Sequence, residues 1–529
     1  MKKILSLLTY GLILHAGFVI GQPKIRKLPA VINHPSINVS APFMSVDGSG
    51  LVYVSDYAQD LTLTIFYTYR ERGNWSDPKP LPKNLAKLNF LYGATLSADG
   101  KTIYLSSFKS PGAGGYDIWM SESRGAYWTE PVNLVNPINT KSNEASASFT
   151  PDGKTLYFMR CEKMNDKSAS DCKIFVAKKK SNGQWGEPEE MPDHINTGNS
   201  QFPRILADGE TLLFSSDRFP GNKGGLDLYE TRLVEGSWTA PVPLAFTNSE
   251  RDDRNVSVNG IGRYLLRDSP GARKSELVEY LIPKELRPKG LTKVDGKVLD
   301  PSGAPVASYI SAVDIDSKKR VFSGRPEKDG SFMLYLLEGG RYAVGADPEQ
   351  SNYSFFVQQI DLTTEDIPQF QKMNPVLKPV QVGDNLPLDM VSFETNGIAL
   401  KEESAGELDR LVRLIKSNSD FTFEIQVLLA GYEEDSIAAP DLTEAINDSI
   451  QTTYTEIDTL GQLYEKDTLF VTTRYHNDRT LQQAEQVVNY LSSKGIDSSS
   501  TKLFVNARPE AILENRKTTV NVVVRTKEN

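Results

Sequence analysis

The stretch LADGETLLFSSDRFPGNKGGLDLYETRLVEGSW, Leu206 to Trp238, has a near-duplicate upstream in SADGKTIYLSSFKSPGAGGYDIWMSESRGAYW, Ser97 to Trp128. Both run turn, short apolar strand, Gly-Gly-x-Asp, aromatic strand, Trp. Outward from this pair, Asp-Gly or Asn-Gly turns start at Asp47, Asp99, Asp152, Asp208 and Asn259, at gaps of 52, 53, 56 and 51. Trp75, Trp128, Trp185 and Trp238 keep step at 53, 57 and 53. A fixed period of this length marks stacked or radially arranged units. Asp-Gly between two alternating apolar runs is a strong hairpin signal. Each unit therefore reads as four short antiparallel strands, which is a propeller blade.

The fifth unit has RNVSVNGIGRYLLR (Arg254–Arg267) and KSELVEYLI (Lys274–Ile282) but no terminal strand with its Trp. KIRKLPAVIN (Lys24–Asn33) copies PVNLVNPIN (Pro131–Asn139) and PEEMPDHIN (Pro188–Asn196), the segments that precede the next blade. The N-terminal strand is expected to complete the last blade, closing a ring of five and hiding its edges. No further turn signal supports a sixth. SADGKTIYLSS, TPDGKTLYF and LADGETLLFSSDR resemble the PD40, or WD40-like, propeller repeat over about residues 23–283. That resemblance implies a binding platform. The Ser-x-Asp-x-Gly-x-x-Trp box of sialidase-type propellers is absent.

A chain of 529 residues with 39% hydrophobic content can bury several cores. Its net charge of −9 argues against nucleic acid, whose phosphates need a basic face. Residues 1–21 have two lysines, an apolar run from Ile4 to Gly21 and small residues before Gln22, the layout of a secretory signal peptide; an uncleaved anchor is the alternative. The only cysteines, Cys161 and Cys172, flank a polar insertion between two strand-like runs. In an exported chain they are expected to form a disulfide across a hairpin.

After LIPKELRPKG the pattern changes. Residues 291–379 show short alternating runs, with Phe332, Leu334 and Leu336 on one face, broken by Gly and Pro turns: a small β-sandwich. The order GKV, PSGAPV, DGSFMLYL resembles the carboxypeptidase regulatory-like domain, which implies a spacer or docking module. Beyond NPVLKPVQVGDNLPLD the periods mix. Strand MVSFET is followed by a helix with Leu408, Leu411, Val412 and Ile415 at i, i+3, i+4 and i+7, then strand FTFEIQVLL, helix TLQQAEQVVNYLSSKG and two strands. An α+β fold is expected over 385–529.

Here VSFETNGIALKEESAGELDRLVRLIKSNSDFTFEIQV, AEQVVNYLSSKGID and ENRKTTVNVVV look like the OmpA-like domain. That resemblance implies a peptidoglycan site in which a carboxylate pairs with the ammonium of diaminopimelate and an Arg grips its carboxylate. Mapped onto this chain, the site residues are Glu434 or Asp435, Gln483 where the family has Arg, and Asn515–Arg516. Gln supplies neither the charge nor the fork. Weak peptidoglycan binding is therefore expected unless Arg516 or the 440–470 insertion supplies the charge.

The four histidines, His15, His34, His194 and His476, have no partner at metal-ligand spacing, and no nucleophile elbow or phosphate loop is present. No catalytic residue, metal or cofactor is expected. The Gly-Gly-x-Asp segments read as tight turns rather than ligand loops. Glu144 and Asp253, just before innermost strands, read either as contacts for a partner or ion or as solvated rim charges. The sum is an exported, multidomain envelope protein: five-bladed β-propeller, small β-sandwich and α+β OmpA-like domain. Its domain order resembles the periplasmic accessory proteins of type IX secretion. That implies a periplasmic place at the outer membrane, a protein partner on the propeller, and peptidoglycan on the C-terminal domain.

Overall fold

The computed structural model describes residues 25–56, 64–71, 73–86, 92–108, 111–125, 127–165, 168–219, 221–270, 274–364, 367–395, 397–430, 444–476, 479–504 and 517–527. The expected signal peptide lies outside them. Two compact units divide at Thr292/Lys293.

The first unit is a β-propeller of antiparallel sheets, four-stranded except for the first and fourth, which add Lys79–Pro80 and Val242–Pro243 beside their third strands. The first described sheet runs Val39–Met44, Gly50–Ser55, Thr64–Glu71, Asn74–Trp75, and the second Ala94–Leu96, Thr102–Ser107, Asp117–Glu122, Val132–Asn133. The third runs Asn143–Phe149, Thr155–Met164, Ala169–Lys178, Glu189–Glu190, and the fourth Gln201–Ile205, Thr211–Ser216, Asp227–Val234, Ser237–Trp238. In the fifth, Ser257–Val258, Tyr264–Pro270 and Ser275–Leu281 take their outer strand from the N-terminus: Ile25–Lys27 pairs antiparallel with Ser275–Leu281, Arg26 opposite Glu279.

Apolar clusters between successive sheets hold these units together. Ile103 and Leu105 pack on Val52 and Val54; Leu156 and Phe158 on Ile118; Leu212 and Phe214 on Ile174; Leu265 on Leu213 and Leu228. The last cluster joins Leu266 and Leu277 of the fifth sheet to Leu51 and Tyr53 of the first, with Leu28 and Ile32 of the N-terminal segment between them. Trp75, Trp128, Trp185 and Trp238 each pack on the cluster shared with the preceding sheet, which explains their period.

An asparagine locks each described crossing from one blade to the next. Asn139 accepts from Ile118 N and donates to Ile118 O; Asn196 does the same with Ile174, and Asn248 with Leu228. Asn33 does it with Leu277, 244 residues away, at 2.8 and 2.9 Å, and donates also to Leu28 O. The repeated turns differ from expectation in one unit. Gly48, Gly100, Gly153 and Gly209 sit at positive φ and donate back three residues, and in the fifth unit Gly262, not Gly260, does this. Gly260 is instead where Val46 O approaches: a Cβ there would lie 2.4 Å from it.

The second unit opens as a two-sheet sandwich. Leu291–Lys297, Ser331–Leu337 and Phe370–Lys372 face Ser308–Asp314, Arg320–Gly324, Arg341–Pro348 and Phe356–Asp361 across a core that includes Val298, Ile310, Leu334, Leu336 and Val344. Its α+β half places helices Ala405–Ser417 and Thr480–Ser493 on a mixed sheet ordered Asn385–Pro387, Lys517–Thr526, Phe421–Ala430, Thr501–Phe504. The strand expected at Met390–Thr395 does not form. Met390 N donates to Glu407 and Ser392 N to Ser404 Oγ, so this backbone is bonded to the start of the helix instead of to a sheet. The two halves are joined: Arg410 of the helix forks onto Asp347 of the sandwich at 2.8 and 3.2 Å and reaches Ser311. Part of the insertion forms a separate hairpin, Glu444–Ile457 with Leu463–His476.

Two outcomes follow from these contacts. Asn33→Ala leaves Leu277 N without its partner, while Leu277 O keeps Leu28 N, and should lower the stability of the first unit by about 1–3 kcal/mol, with accelerated amide exchange at Leu277; unchanged exchange there would refute the lock. Glu407 is the second. Burial, aided by Asp389, pushes its carboxyl from 4.5 to about 7. A raised acid pKa means the folded chain binds more protons than the unfolded one, so stability falls as pH rises from 4.5 through 7, by roughly 3 kcal/mol. Glu407→Gln should flatten that decline in urea unfolding of the second unit, and should exceed the parent in stability at pH 8.

Candidate functional site

The first strands of the five sheets contact one another around a hub. Each enters it through a residue at positive φ: Ala41 (46°), Gly93 (84°), Ser146 (55°), Phe202 (52°) and Asn255 (54°). Four of these are not glycine, in a region that L-residues rarely occupy. Register shifts at Ser40/Phe43, Ala145/Ser148 and Gln201/Arg204 mark three of them as bulges, which bend a strand and re-aim the side chains after them. A Cβ on Gly93 would sit 3.8 Å from Ala41 Cβ and 3.9 Å from Asn255 Oδ1, so the first, second and fifth units meet here.

Two residues further along lies a layer of Phe43, Thr95, Ser148, Arg204 and Ser257. Its polar members stitch neighbouring strands. Thr95 Oγ1 donates to Ala147 O at 2.6 Å, Ser148 Oγ accepts from Ile205 N at 3.0 Å, and Ser257 Oγ accepts from Met44 N at 2.9 Å. Arg204 spans the hub. Nε donates to Val256 O and Nη1 to Thr95 Oγ1, both at 3.1 Å, and the guanidinium lies 4.6 Å over the ring of Phe43. Among the described residues no carboxylate pairs with it, and burial pulls its pKa down to about 10. On the entry side, Tyr92 stacks on Phe202 and meets Tyr116 edge-on, with Arg254 over Phe202.

The acids proposed for the rim are inside. Glu144 is fully buried, accepts from Thr140 N and Oγ1, and pairs with Arg160 at 2.7 Å. Asp253 is fully buried, accepts from Ser249 N and Oγ, and pairs with the equally buried Arg267 at 2.5 Å. Neither side chain is exposed to a partner or solvent. Each fastens the loop before a hub strand to the strand after it. The Gly-Gly-x-Asp segments are turns: Asp117 accepts from Ala113 N and Gly114 N, Asp227 from Lys223 N and Gly224 N. Their glycines admit the next unit's loop, since a Cβ on Gly114 would lie 2.1 Å from Ser142 O and one on Gly224 2.2 Å from Arg251 O.

Cys161 and Cys172 stand opposite each other in register and are disulfide-bonded. Glu434, Asp435, Asn515 and Arg516 lie outside the described residues. Gln483 is buried, and its Nε2 donates to Gly397 O at 3.0 Å, tying the second helix to the loop ahead of the first. An open cleft of about 490 Å³ beside the second sheet of the propeller is lined by Pro111, Asn133, Asn139, Thr140 and Lys141, where Asn139 and Thr140 are already bonded to Ile118 and Glu144. Among the described residues no group of three His, Cys, Asp or Glu is placed to hold a metal ion.

No family model matches the chain, and no curated protein matches it. Solved structures similar to it include TolB from Acinetobacter baumannii, 14% identical over 46% of this chain and 54% of that one, with a TM-score of 0.30. The alignment thus spans about half of that protein's length. A putative TolB from Agrobacterium tumefaciens is 15% identical over 56% of this chain and 90% of its own, TM-score 0.29. An α-L-arabinofuranosidase from Lactobacillus brevis is 13% identical over 49% and 93%, TM-score 0.32.

Sequence reasoning missed Arg204 and the locking asparagines. Both were readable in the aligned repeats: Asn ends VIN, PIN, HIN and FTN, and the hub layer reads Phe, Thr, Ser, Arg, Ser. The buried acids carry the prediction. Asp253→Ala leaves the buried Arg267 uncompensated and should cost about 3–5 kcal/mol in denaturant unfolding of the first unit. A change under about 0.5 kcal/mol is what a surface rim charge would give, and would contradict the internal placement.

Proposed function

We propose that this chain is an exported, non-enzymatic scaffold of the cell envelope. In this reading a five-bladed propeller holds an outer-membrane or periplasmic protein, and an OmpA-like half of the second unit faces the peptidoglycan layer, in a domain order comparable to the accessory proteins of type IX secretion. One observation carries the reading. The acids read as candidate contacts around the hub, Glu144 and Asp253, are consumed in holding loops, as are Asp117 and Asp227 of the Gly-Gly-x-Asp turns, which favours a rigid platform over a reaction centre. The inter-sheet clusters and the N-terminal pairing support five blades. The helices on a mixed sheet support the OmpA-like half. The Cys161–Cys172 bond suits an oxidising compartment.

Gln483 favours a second reading of the same scaffold, in which the C-terminal half no longer binds peptidoglycan. Its amide is buried and bonded to Gly397 O, so this position offers a ligand neither charge nor a free donor fork. Co-sedimentation of the full chain with purified sacculi at low salt separates the two. Anchoring predicts retention that falls at least about tenfold in Arg516→Ala, the scale of one lost charge-assisted bond. No retention, with partner capture by the propeller intact, supports the second reading. Fractionation of the chain to the cytoplasm would remove both.

A further inference from the structure

Four guanidinium groups lie in or beside the hub strands: Arg254, over the Phe202 ring at its entry side, Arg204 within the layer, and two that have their counter-charge. Arg160 pairs with Glu144 and Arg267 with Asp253. Arg204 has none among the described residues, although it sits at the meeting point of the hub strands. An arginine offers five N–H donors, of which Arg204 uses one on Nε and one on Nη1, leaving three. The same layer holds two more donors. Ser148 Oγ and Ser257 Oγ each accept a backbone N–H, and neither hydroxyl proton has an acceptor among the described residues. Thr95, by contrast, already donates to Ala147 O. The layer is therefore rich in donors, poor in acceptors, and carries one uncompensated positive charge in a part-buried setting. Such a charge is costly unless something neutralises it.

We propose that the propeller hub is a binding site for a small monovalent carboxylate, held by the free N–H groups of Arg204. One negative charge balances the guanidinium, and the two oxygens of a planar carboxylate match its fork. Arg204 is part-buried, so some of its surface stays accessible. The Phe43 ring beneath and the bonds to Val256 O and Thr95 fix the guanidinium before the ligand arrives, which lowers the entropy cost of binding. Anion binding here would bridge the second, fourth and fifth units through one group.

The test uses the full chain and sodium acetate at fixed pH and ionic strength. Saturation-transfer NMR should show magnetisation reaching the acetate methyl. The side-chain ¹⁵N resonance of Arg204, assigned by its absence in Arg204→Lys, should shift with acetate. The dissociation constant should weaken about tenfold or more in Arg204→Lys, which keeps the charge but loses the fork, and further in Arg204→Met. Equal saturation in the parent and Arg204→Met overturns the proposal, as does full displacement of acetate by an equal concentration of chloride. If Arg204→Met does not fold, the parent alone decides: no acetate-dependent shift of any arginine side chain overturns it.

Discussion

The joint between the N-terminal segment and the last sheet is the constraint on which the first unit depends. Asn33 holds both backbone groups of Leu277, and Ile25–Lys27 covers the edge that Ser275–Leu281 would otherwise expose. The described equivalent locks, at Asn139, Asn196 and Asn248, link residues about 20 apart in sequence. This one links residues 244 apart. Loop-closure entropy grows slowly with length, so the long joint costs little more at equilibrium than a short one. Without it the cluster of Leu28, Ile32, Leu51, Tyr53, Leu266 and Leu277 is split, and the edge of Ser275–Leu281 faces solvent.

That joint transmits its order to the hub. Positive-φ residues at Ala41, Ser146, Phe202 and Asn255 are individually unfavourable by about 1–3 kcal/mol, and persist where surrounding structure over-determines them. Here the over-determination is visible. Ser146 N donates to Ser106 Oγ, and Ser148, Thr95, Ser257 and Arg204 each bond the backbone of a neighbouring strand. Hub strain and ring closure are therefore one system, because opening the ring would release the strands that hold the bulges.

What the sequence disclosed follows the same division between local and non-local physics. The turns, the tryptophan period, the cysteine pair, the sandwich and both C-terminal helices were legible because each rests on a few adjacent residues. The burial of Glu144 and Asp253 was not, since an acid's environment is decided by Arg160 and Arg267, 16 and 14 residues away, across a strand pairing. The strand expected at Met390–Thr395 failed for a similar reason. Its apolar alternation is genuine, but its N–H groups found Glu407 and Ser404 before they found a sheet. Gly260 matched a turn signal while serving a close approach to Val46, and only the geometry separates the two uses.

The same distinction governs what the arginines do. Arg267 and Arg410 belong to the scaffold because a carboxylate meets each of them, Asp253 in the propeller and Asp347 in the sandwich. Their charge is balanced inside the fold, and a ligand has nothing to add. Arg204 shares their kind of backbone and hydroxyl bonds, but it is part-buried where Arg267 is fully buried, and no carboxylate meets it among the described residues. A guanidinium with no counter-ion among the described residues, beside Arg160 and Arg267 that have theirs, is the group whose charge the proposed carboxylate would balance.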